Sequence, residues 1–376
     1  MNLETLATPA LVLDRARLAR NTATMTRRAK ELGVRLRPHL KTAKSAEVAK
    51  LAATGNFGGI TVATLREAEY FLENAITDIT YAVPIVPSKL DRAAALVDRG
   101  ADLKLTTDNP DVARSIAANG SPLKVLIEID CGEHRTGLPP GAPEILEIAG
   151  ILDAAETVEL EGVLTHAGHS YACRGPEAMA AVAEEERSSV VRAADRIREA
   201  GFPCPTVSTG STPCVIFGRD ATGVTEVRPG VYMFGDLFQA GLGTRALDEI
   251  AVTVLASVIA HRRHENRLYI DAGGLALSKD RATAALEDDC GYGLVCDAAT
   301  AAPIPGLRVQ SVHQEHGLVT ADGPLPFDRL PVGSMVRVLP NHVCMTAAAY
   351  DAYNVIDSDE GGGAEVVATW GRCNGW

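Results

Sequence analysis

No apolar stretch of this sequence approaches the roughly 20 residues needed to span a bilayer, so a membrane-spanning helix is not expected. Aromatic residues make up only 5% of the chain, and no basic run is interleaved with them. With a formal net charge of −12, a nucleic-acid surface has nothing to be built from. The G-x-G-x-x-G phosphate fingerprint is missing after the first strand-like run, which counts against a dinucleotide fold. The eight cysteines (Cys131, Cys173, Cys204, Cys214, Cys290, Cys296, Cys344 and Cys373) contain no C-x-x-C pair. Cys290 and Cys296 have no nearby histidine to complete a metal set and are discounted. The segment Met1-Asn2-Leu3-Glu4-Thr5 is acidic and lacks an apolar signal core. The expectation is therefore a cytoplasmic protein with free thiols. What is present is the composition of a soluble globular protein, 46% hydrophobic and 22% charged, in a chain too long for one ordinary domain.

A short apolar run at Leu11–Asp14 follows Thr8-Pro9, and helical spacing runs from Arg15 to about Leu32, where Gly33 ends it. Strand-like runs then occur at Leu36–Lys41, Gly59–Ala63, Ile79–Val83, Leu103–Thr107, Lys124–Asp130, Leu160–His166, Thr206–Thr209 and Thr225–Phe234. Ala- and Glu-rich helical stretches separate them, the longest from Pro176 to Ala200. This alternation predicts an α/β fold, a parallel (β/α)8 barrel over residues 9–242, with an open doubly wound sheet as the alternative. After about Leu242 the helical patterns give way to short β-like runs at Val252–His261, Leu268–Ala272, Leu307–Val312, His316–Val319, Met335–Val338 and Glu365–Thr369. A mostly β domain is expected over residues 243–376, with residues 1–8 joining it and a local turn at 361–363.

Chemistry in a barrel collects at the carboxyl ends of its strands. Lys41, Thr64, Asp108, Asp130 with Arg135, His166 with Tyr171, and Thr209-Gly210-Ser211-Thr212 all fall at such ends. Lys41 follows Arg35 and Arg37 and precedes Lys44, a cationic setting of the kind that suits an amine for Schiff-base chemistry. The hydroxyl-rich loop after the seventh strand offers N–H and O–H donors for a phosphate, or else is an ordinary turn. Arg228-Pro229-Gly230-Val231-Tyr232 adds a cation and a glycine nearby. In the second domain His342 and Cys344 stand two residues apart. On an extended segment they would share a face and could bind one Zn²⁺, completed by water or substrate. The alternative is a half-buried histidine beside an inert cysteine. His316, after Gln314-Glu315, is placed in the wall of the same site.

Six motifs recur in order: Arg37-Pro38-His39-x-Lys41-Thr42, Glu128-Ile129-Asp130 with Arg135-Thr136-Gly137, Thr165-His166-Ala167-Gly168, Ser208-Thr209-Gly210-Ser211-Thr212, Gln314-Glu315-His316-Gly317 and Pro340-Asn341-His342-x-Cys344. Together they resemble the D-serine dehydratase / D-threonine aldolase family of fold-type III pyridoxal phosphate enzymes, over nearly the whole chain. The resemblance implies an alanine-racemase-like barrel followed by a β domain, in a homodimer whose site is completed across subunits. It makes Lys41 the lysine that carries pyridoxal 5'-phosphate. Thr209, Gly210, Ser211 and Thr212, with Gly230 and Val231, become the phosphate cradle, and Arg135, His166 and Tyr171 lie around the cofactor. His342 and Cys344 match the zinc ligands of the dehydratases, whereas the bacterial aldolases of the family carry His-x-Asp. The implied activity is zinc-assisted loss of water and ammonia from a β-hydroxy D-amino acid: D-serine, D-threonine or D-threo-3-hydroxyaspartate. Aldol cleavage, with His39 or His316 as base, is the alternative. An amino-acid racemase and a non-catalytic cofactor carrier are weaker readings, because either would leave the metal pair unexplained.

Overall fold

The computed structural model describes residues 2–360 and 363–376. Of the turn expected at 361–363, only Gly363 lies within the described residues. The chain divides into two units, Met1–Thr22 with Val231–Arg372 and Ala23–Gly230 with Cys373–Trp376. The first elements are β1 (Ala10–Asp14) and α1 (Arg15–Glu31), and the division falls within α1. Gly33, with φ +71°, supplies the left-handed turn after α1 that the sequence signalled.

In the Ala23–Gly230 unit eight strands alternate with helices. The strands are β2 (Arg35–Leu36), β3 (Ile60–Val62), β4 (Asp78–Pro84), β5 (Asp102–Thr107), β6 (Lys124–Ile129), β7 (Glu159–Thr165), β8 (Thr206–Thr209) and β9 (Glu226–Val227). Between them run α2 (Ala46–Ala53), α3 (Leu65–Glu73), α4 (Leu90–Asp98), α5 (Pro110–Asn119), α6 (Glu144–Asp153), α7 (Pro176–Glu199) and α8 (Thr212–Phe217). All strand pairs are parallel, in the order β2-β9-β8-β7-β6-β5-β4-β3. A bridge between His39 and Thr61 closes the ring, with Leu40 N–H donating to Thr61 O at 2.8 Å and Thr61 N–H to Pro38 O at 2.9 Å. The barrel is therefore the expected one.

Two expected strands are shorter than the apolar runs that announced them. Pro38 has no N–H to give, so β2 stops at Leu36 and Lys41 sits in a turn beyond it. Pro229-Gly230 likewise ends β9 at Val227, and Val231–Met233 is a 3₁₀ turn instead of strand.

The other unit contains α9 (Leu237–Gly241), β10 (Val252–Arg262), β11 (Arg267–Ile270), α10 (Gly274–Leu277), β12 (Gly293–Asp297), β13 (Pro303–Val312), β14 (Gly317–Thr320), β15 (Met335–Pro340), α11 (Val343–Ala347), β16 (Ala352–Ile356) and β17 (Val366–Gly371). Its sheet runs β11-β14-β13-β12-β15-β10-β1-β16-β17. β11 also pairs with β10, so six strands form a closed β-barrel that β1, β16 and β17 extend. Closure leaves no open edge on those six strands. The boundary expected at residue 9 is displaced, because Ala10–Asp14 pairs antiparallel with β10 and parallel with β16. Leu11, Val12 and Leu13 are completely buried there. Residues 231–242 also group with this unit. No described helix is long and apolar enough to cross a membrane.

Candidate active site

The cationic setting expected of Arg35, Arg37 and Lys44 is cancelled by carboxylates. Arg37 Nε donates to Glu226 Oε2 at 2.9 Å and its Nη1 to Asp78 Oδ1 at 2.7 Å. Arg35 lies 3.9 Å from Glu226, and Lys44 pairs with buried Glu67 at 3.0 Å. The cations that matter locally are others. Lys41, Arg228 and Arg135 all lie where their charges lower the pKa of His39 and His166.

His39 is half-buried and its Nδ1 accepts the Lys41 backbone N–H at 3.4 Å. Burial, then the charges of Lys41 and Arg228, hold its pKa well below the usual imidazole value. In His166, burial is again the largest cause, and Lys41, Arg135 and Arg228 add to it. The hydrogen bond to Gly210 works the other way, and the pKa settles at about 3. The partner of His166 Nδ1 is the Gly210 carbonyl. A carbonyl only accepts, so the proton is assigned to Nδ1 and Nε2 is left as an acceptor. Both rings are neutral at physiological pH.

The loop after β8 is built as a cradle, though not from all the donors expected. Ser211 caps α8, its Oγ accepting from Cys214 N–H at 3.2 Å and bonding Ser170 Oγ at 2.9 Å. Ser170 belongs to the 3₁₀ turn Gly168–Ala172 that carries half-buried Tyr171. The Gly210 N–H is already engaged by Glu186 Oε1 at 3.1 Å, so it is not a spare phosphate donor. Thr212 Oγ1, by contrast, is buried and has no hydrogen-bond partner among the described residues. A Cβ on Gly210 would fall 2.6 Å from Arg228 N, and one on Gly230 2.6 Å from His39 O, so both positions require glycine. The Thr209 carbonyl accepts from Arg228 N at 2.8 Å, and Val231 opens the 3₁₀ turn that follows Gly230.

Arg228 is 5% exposed. It donates to Ser208 Oγ at 2.5 Å and to Thr165 O at 2.7 Å, while its Nε lacks a partner among the described residues. Burial lowers its pKa, but an arginine stays charged. Two buried donors without partners, Thr212 Oγ1 and Arg228 Nε, beside Lys41 and exposed Arg135, fit an anionic, acceptor-rich molecule such as pyridoxal phosphate. Three residues expected at strand ends serve the loops instead. Thr64 Oγ1 caps α3 by accepting Glu67 N–H at 3.0 Å, and Asp108 accepts Gly137 N–H at 2.8 Å. Asp130 accepts Gly132 and His134 N–H at 2.9 and 3.0 Å.

In the β unit His342 and Cys344 come together, but not on a strand. β15 ends at Pro340; His342 is the extended N-cap of α11, and Cys344 lies in that helix's first turn. His342 Nδ1 bonds Asp280 Oδ2 at 2.7 Å, which leaves Nε2 for the thiol side. Burial lowers the His342 pKa, but its hydrogen bond with Cys344 and the charges of Cys344, Asp236 and Asp280 raise it to about 10. Asp236 Oδ2 accepts the Val343 N–H at 2.9 Å, and Asn341 is tied to Thr283 and Gly291 by three bonds of 2.7–3.1 Å. One imidazole nitrogen and one thiol, with a carboxylate orienting the ring, fit a zinc ion. No group of three or more His, Cys, Asp or Glu that could hold a metal occurs among the described residues. His316 is exposed in the turn between β13 and β14, where its carbonyl accepts from His313 N–H at 2.8 Å. That turn adjoins α10 through Gly274 N–H to His313 O at 2.7 Å.

Sequence reasoning missed Glu186, Asp236 and Asp280. Asp236 precedes a short helix as a cap would, and Glu186 interrupts the apolar stripe of α7. Asp280 carries no local signal.

The alanine racemase N-terminal domain model matches residues 13–237, and the putative serine dehydratase domain model matches residues 251–356. The chain is 44% identical to D-threo-3-hydroxyaspartate dehydratase of Delftia sp. (strain HT23), covering 100% of this chain and 99% of that protein. It is 33% identical to D-serine dehydratase of Dictyostelium discoideum, covering 95% of each. The solved structure of the Delftia sp. HT23 enzyme superposes with a TM-score of 0.95 over 100% of both chains. A cysteine-to-alanine mutant of that enzyme has been solved in the metal-free form, with the same TM-score of 0.95 at 43% identity over 100% of both chains. A nitrogen–sulfur pair beneath an ordering carboxylate, a lysine turn at a barrel seam, and these matches over the full length lead to one assignment: the chain belongs to the D-serine dehydratase / D-threonine aldolase family of fold-type III pyridoxal phosphate lyases.

Proposed function

We propose that this protein is a pyridoxal 5'-phosphate- and Zn²⁺-dependent dehydratase of β-hydroxy D-amino acids, with D-threo-3-hydroxyaspartate as its first candidate substrate. Its products would be a 2-oxo acid and ammonia. The observation that carries this reading is the pairing of His342 with Cys344, its Nδ1 held by Asp280. An imidazole nitrogen and a thiolate select zinc over magnesium or calcium. Lys41 Nζ would hold the cofactor, and its free amine would take the proton from the substrate Cα. Thr212 Oγ1 and the N–H groups of Ser211, Thr212 and Val231 bind the phosphate. Arg135 and Arg228 offset its charge. His166, neutral and protonated on Nδ1, turns an acceptor nitrogen to the cofactor. His39 is kept neutral beside Lys41 and so can accept a proton. The cofactor supplies an electron sink for the pair left at Cα. The zinc supplies Lewis acidity that makes a β-hydroxyl a better leaving group. A homodimer in the cytoplasm, with no nucleic-acid partner, completes the reading.

The test is to incubate the holoenzyme with D-serine, D-threonine and D-threo-3-hydroxyaspartate and to assay 2-oxo acid, ammonia and glycine. Oxaloacetate with equimolar ammonia from the hydroxyaspartate, abolished by EDTA and restored by Zn²⁺, is the expected result. Glycine as product, with restoration by Mn²⁺ or Mg²⁺, would make the enzyme an aldolase.

A further inference from the structure

Glu186 lies in the middle of α7, on a helix rather than at a strand end, and is 2% exposed. No cation pairs with it among the described residues. Its Oε1 accepts two backbone N–H groups, Ala167 at 2.9 Å and Gly210 at 3.1 Å. These belong to different loops. Ala167 follows His166 after β7, and Gly210 opens the cradle after β8. Gly210 is bonded on both sides: the N–H of its peptide with Thr209 donates to Glu186, and the carbonyl of its peptide with Ser211 is bonded to His166 Nδ1. The cavity beside Glu186, lined also by Thr209, Cys214 and Val227, holds about 30 Å³. That is room for one water and not for a substrate.

We propose that Glu186 is a positioning residue: by holding the Ala167 and Gly210 peptides it fixes the phosphate loop and, through the Gly210 carbonyl, the protonated nitrogen of His166. The argument is one of satisfied donors. A buried N–H without an acceptor is costly, so removing the carboxylate drives both peptides to turn toward other partners. Turning the Thr209–Gly210 peptide changes the Gly210 backbone angles, which shifts the adjoining carbonyl away from His166 and frees the ring to rotate or change tautomer. Because one oxygen takes both N–H groups, the geometry needs an acceptor there and not a charge. Burial raises the Glu186 pKa, outweighing the two N–H bonds and the charge of Arg228, which lower it.

The inference rests on the cofactor reading above, and the test separates the two. Pyridoxal 5'-phosphate is titrated into apoprotein and binding is followed by absorbance. Glu186→Ala is expected to weaken the dissociation constant by about tenfold or more, while Glu186→Gln, which keeps the acceptor oxygen, stays within about threefold of the parent. Equal affinity in the alanine variant, or a glutamine variant as weak as the alanine one, overturns the proposal. Amide hydrogen exchange on the unsubstituted apoprotein covers the case in which Glu186→Ala does not fold. Gly210 and Ala167 N–H should exchange far more slowly than exposed loop amides, and exchange at loop rates overturns the proposal on its own. Failure of the parent protein to bind pyridoxal 5'-phosphate would instead count against the cofactor reading, with the exchange result still deciding the role of Glu186.

Discussion

His166 in the Ala23–Gly230 unit and His342 in the other are pushed in opposite directions by their neighbours. His166 sits among Lys41, Arg135 and Arg228 and is held near 3. His342 sits among Cys344, Asp236 and Asp280 and is raised to about 10. Both are half-buried, so exposure does not explain the contrast. The surrounding charge does. One cluster has three cations bearing on a neutral imidazole and buried donors without partners among the described residues, which calls for an anion. The other has surplus negative charge and a soft sulfur, which calls for a cation. A single chain thus prepares two complementary sites with the same side chain, neutral in one and protonated in the other until a metal takes the place of the ring proton.

The contrast can be broken most sharply at Lys41. Lys41→Ala should remove the near-visible absorbance of bound cofactor and lower turnover on the order of a thousandfold or more. Full activity in that variant would remove the lysine from the chemistry. Cys344→Ala comes next. It should abolish zinc binding in a chelator competition and stop elimination, yet leave cofactor absorbance in place, which would show the two clusters to be separable. Asp280→Ala should act more mildly, lowering zinc affinity about 10–100-fold as the imidazole loses its orienting partner. Unchanged zinc affinity there would mean that Asp280 does not order His342.

The smallest effect concerns pH. Because the folded pKa of His166 lies below its unfolded value of about 6.5, the unfolded chain binds more protons between those two values. Stability is therefore complete above about pH 6.5 and declines as pH falls toward 3. His39 is depressed in the same direction. Denaturant unfolding of His166→Asn from pH 7 to 4 should show a shallower loss of stability than the parent protein, by up to about one proton per molecule. Identical slopes would show that the His166 pKa is not depressed in the folded protein.

Alternation of strand-like and helical runs was enough to read the barrel and the change of texture after Leu242, because both depend on local periodicity. The membership of β1 was not readable, since Ala10–Asp14 pairs with segments more than 200 residues away and nothing in its own five residues names them. The His342–Cys344 spacing suggested a shared face on a strand, and the two side chains do meet, but over a different backbone: an extended N-cap followed by a helical turn brings i and i+2 together as a strand would. Arg35 and Arg37 misled because sequence proximity to Lys41 says nothing about Glu226 and Asp78 across the barrel. Glu186 was legible in principle. The buried positions Met179, Ala183, Val190, Ala193 and Ile197 of α7 form one stripe, and Glu186 falls on it. An acid at a core phase must find donors inside.

The place of β1 bears on how the chain is made. Ala10–Asp14 leaves the ribosome before the β2–β9 barrel, yet its partners, β10 from Val252 and β16 from Ala352, are translated only after the whole of that barrel. Three residues destined for complete burial, Leu11, Val12 and Leu13, must wait unpaired while some 240 residues are added at about 5–20 per second. For that interval of tens of seconds the nascent chain carries a sticky strand ahead of a barrel already able to close, so holding by a chaperone is most valuable before β10 has emerged.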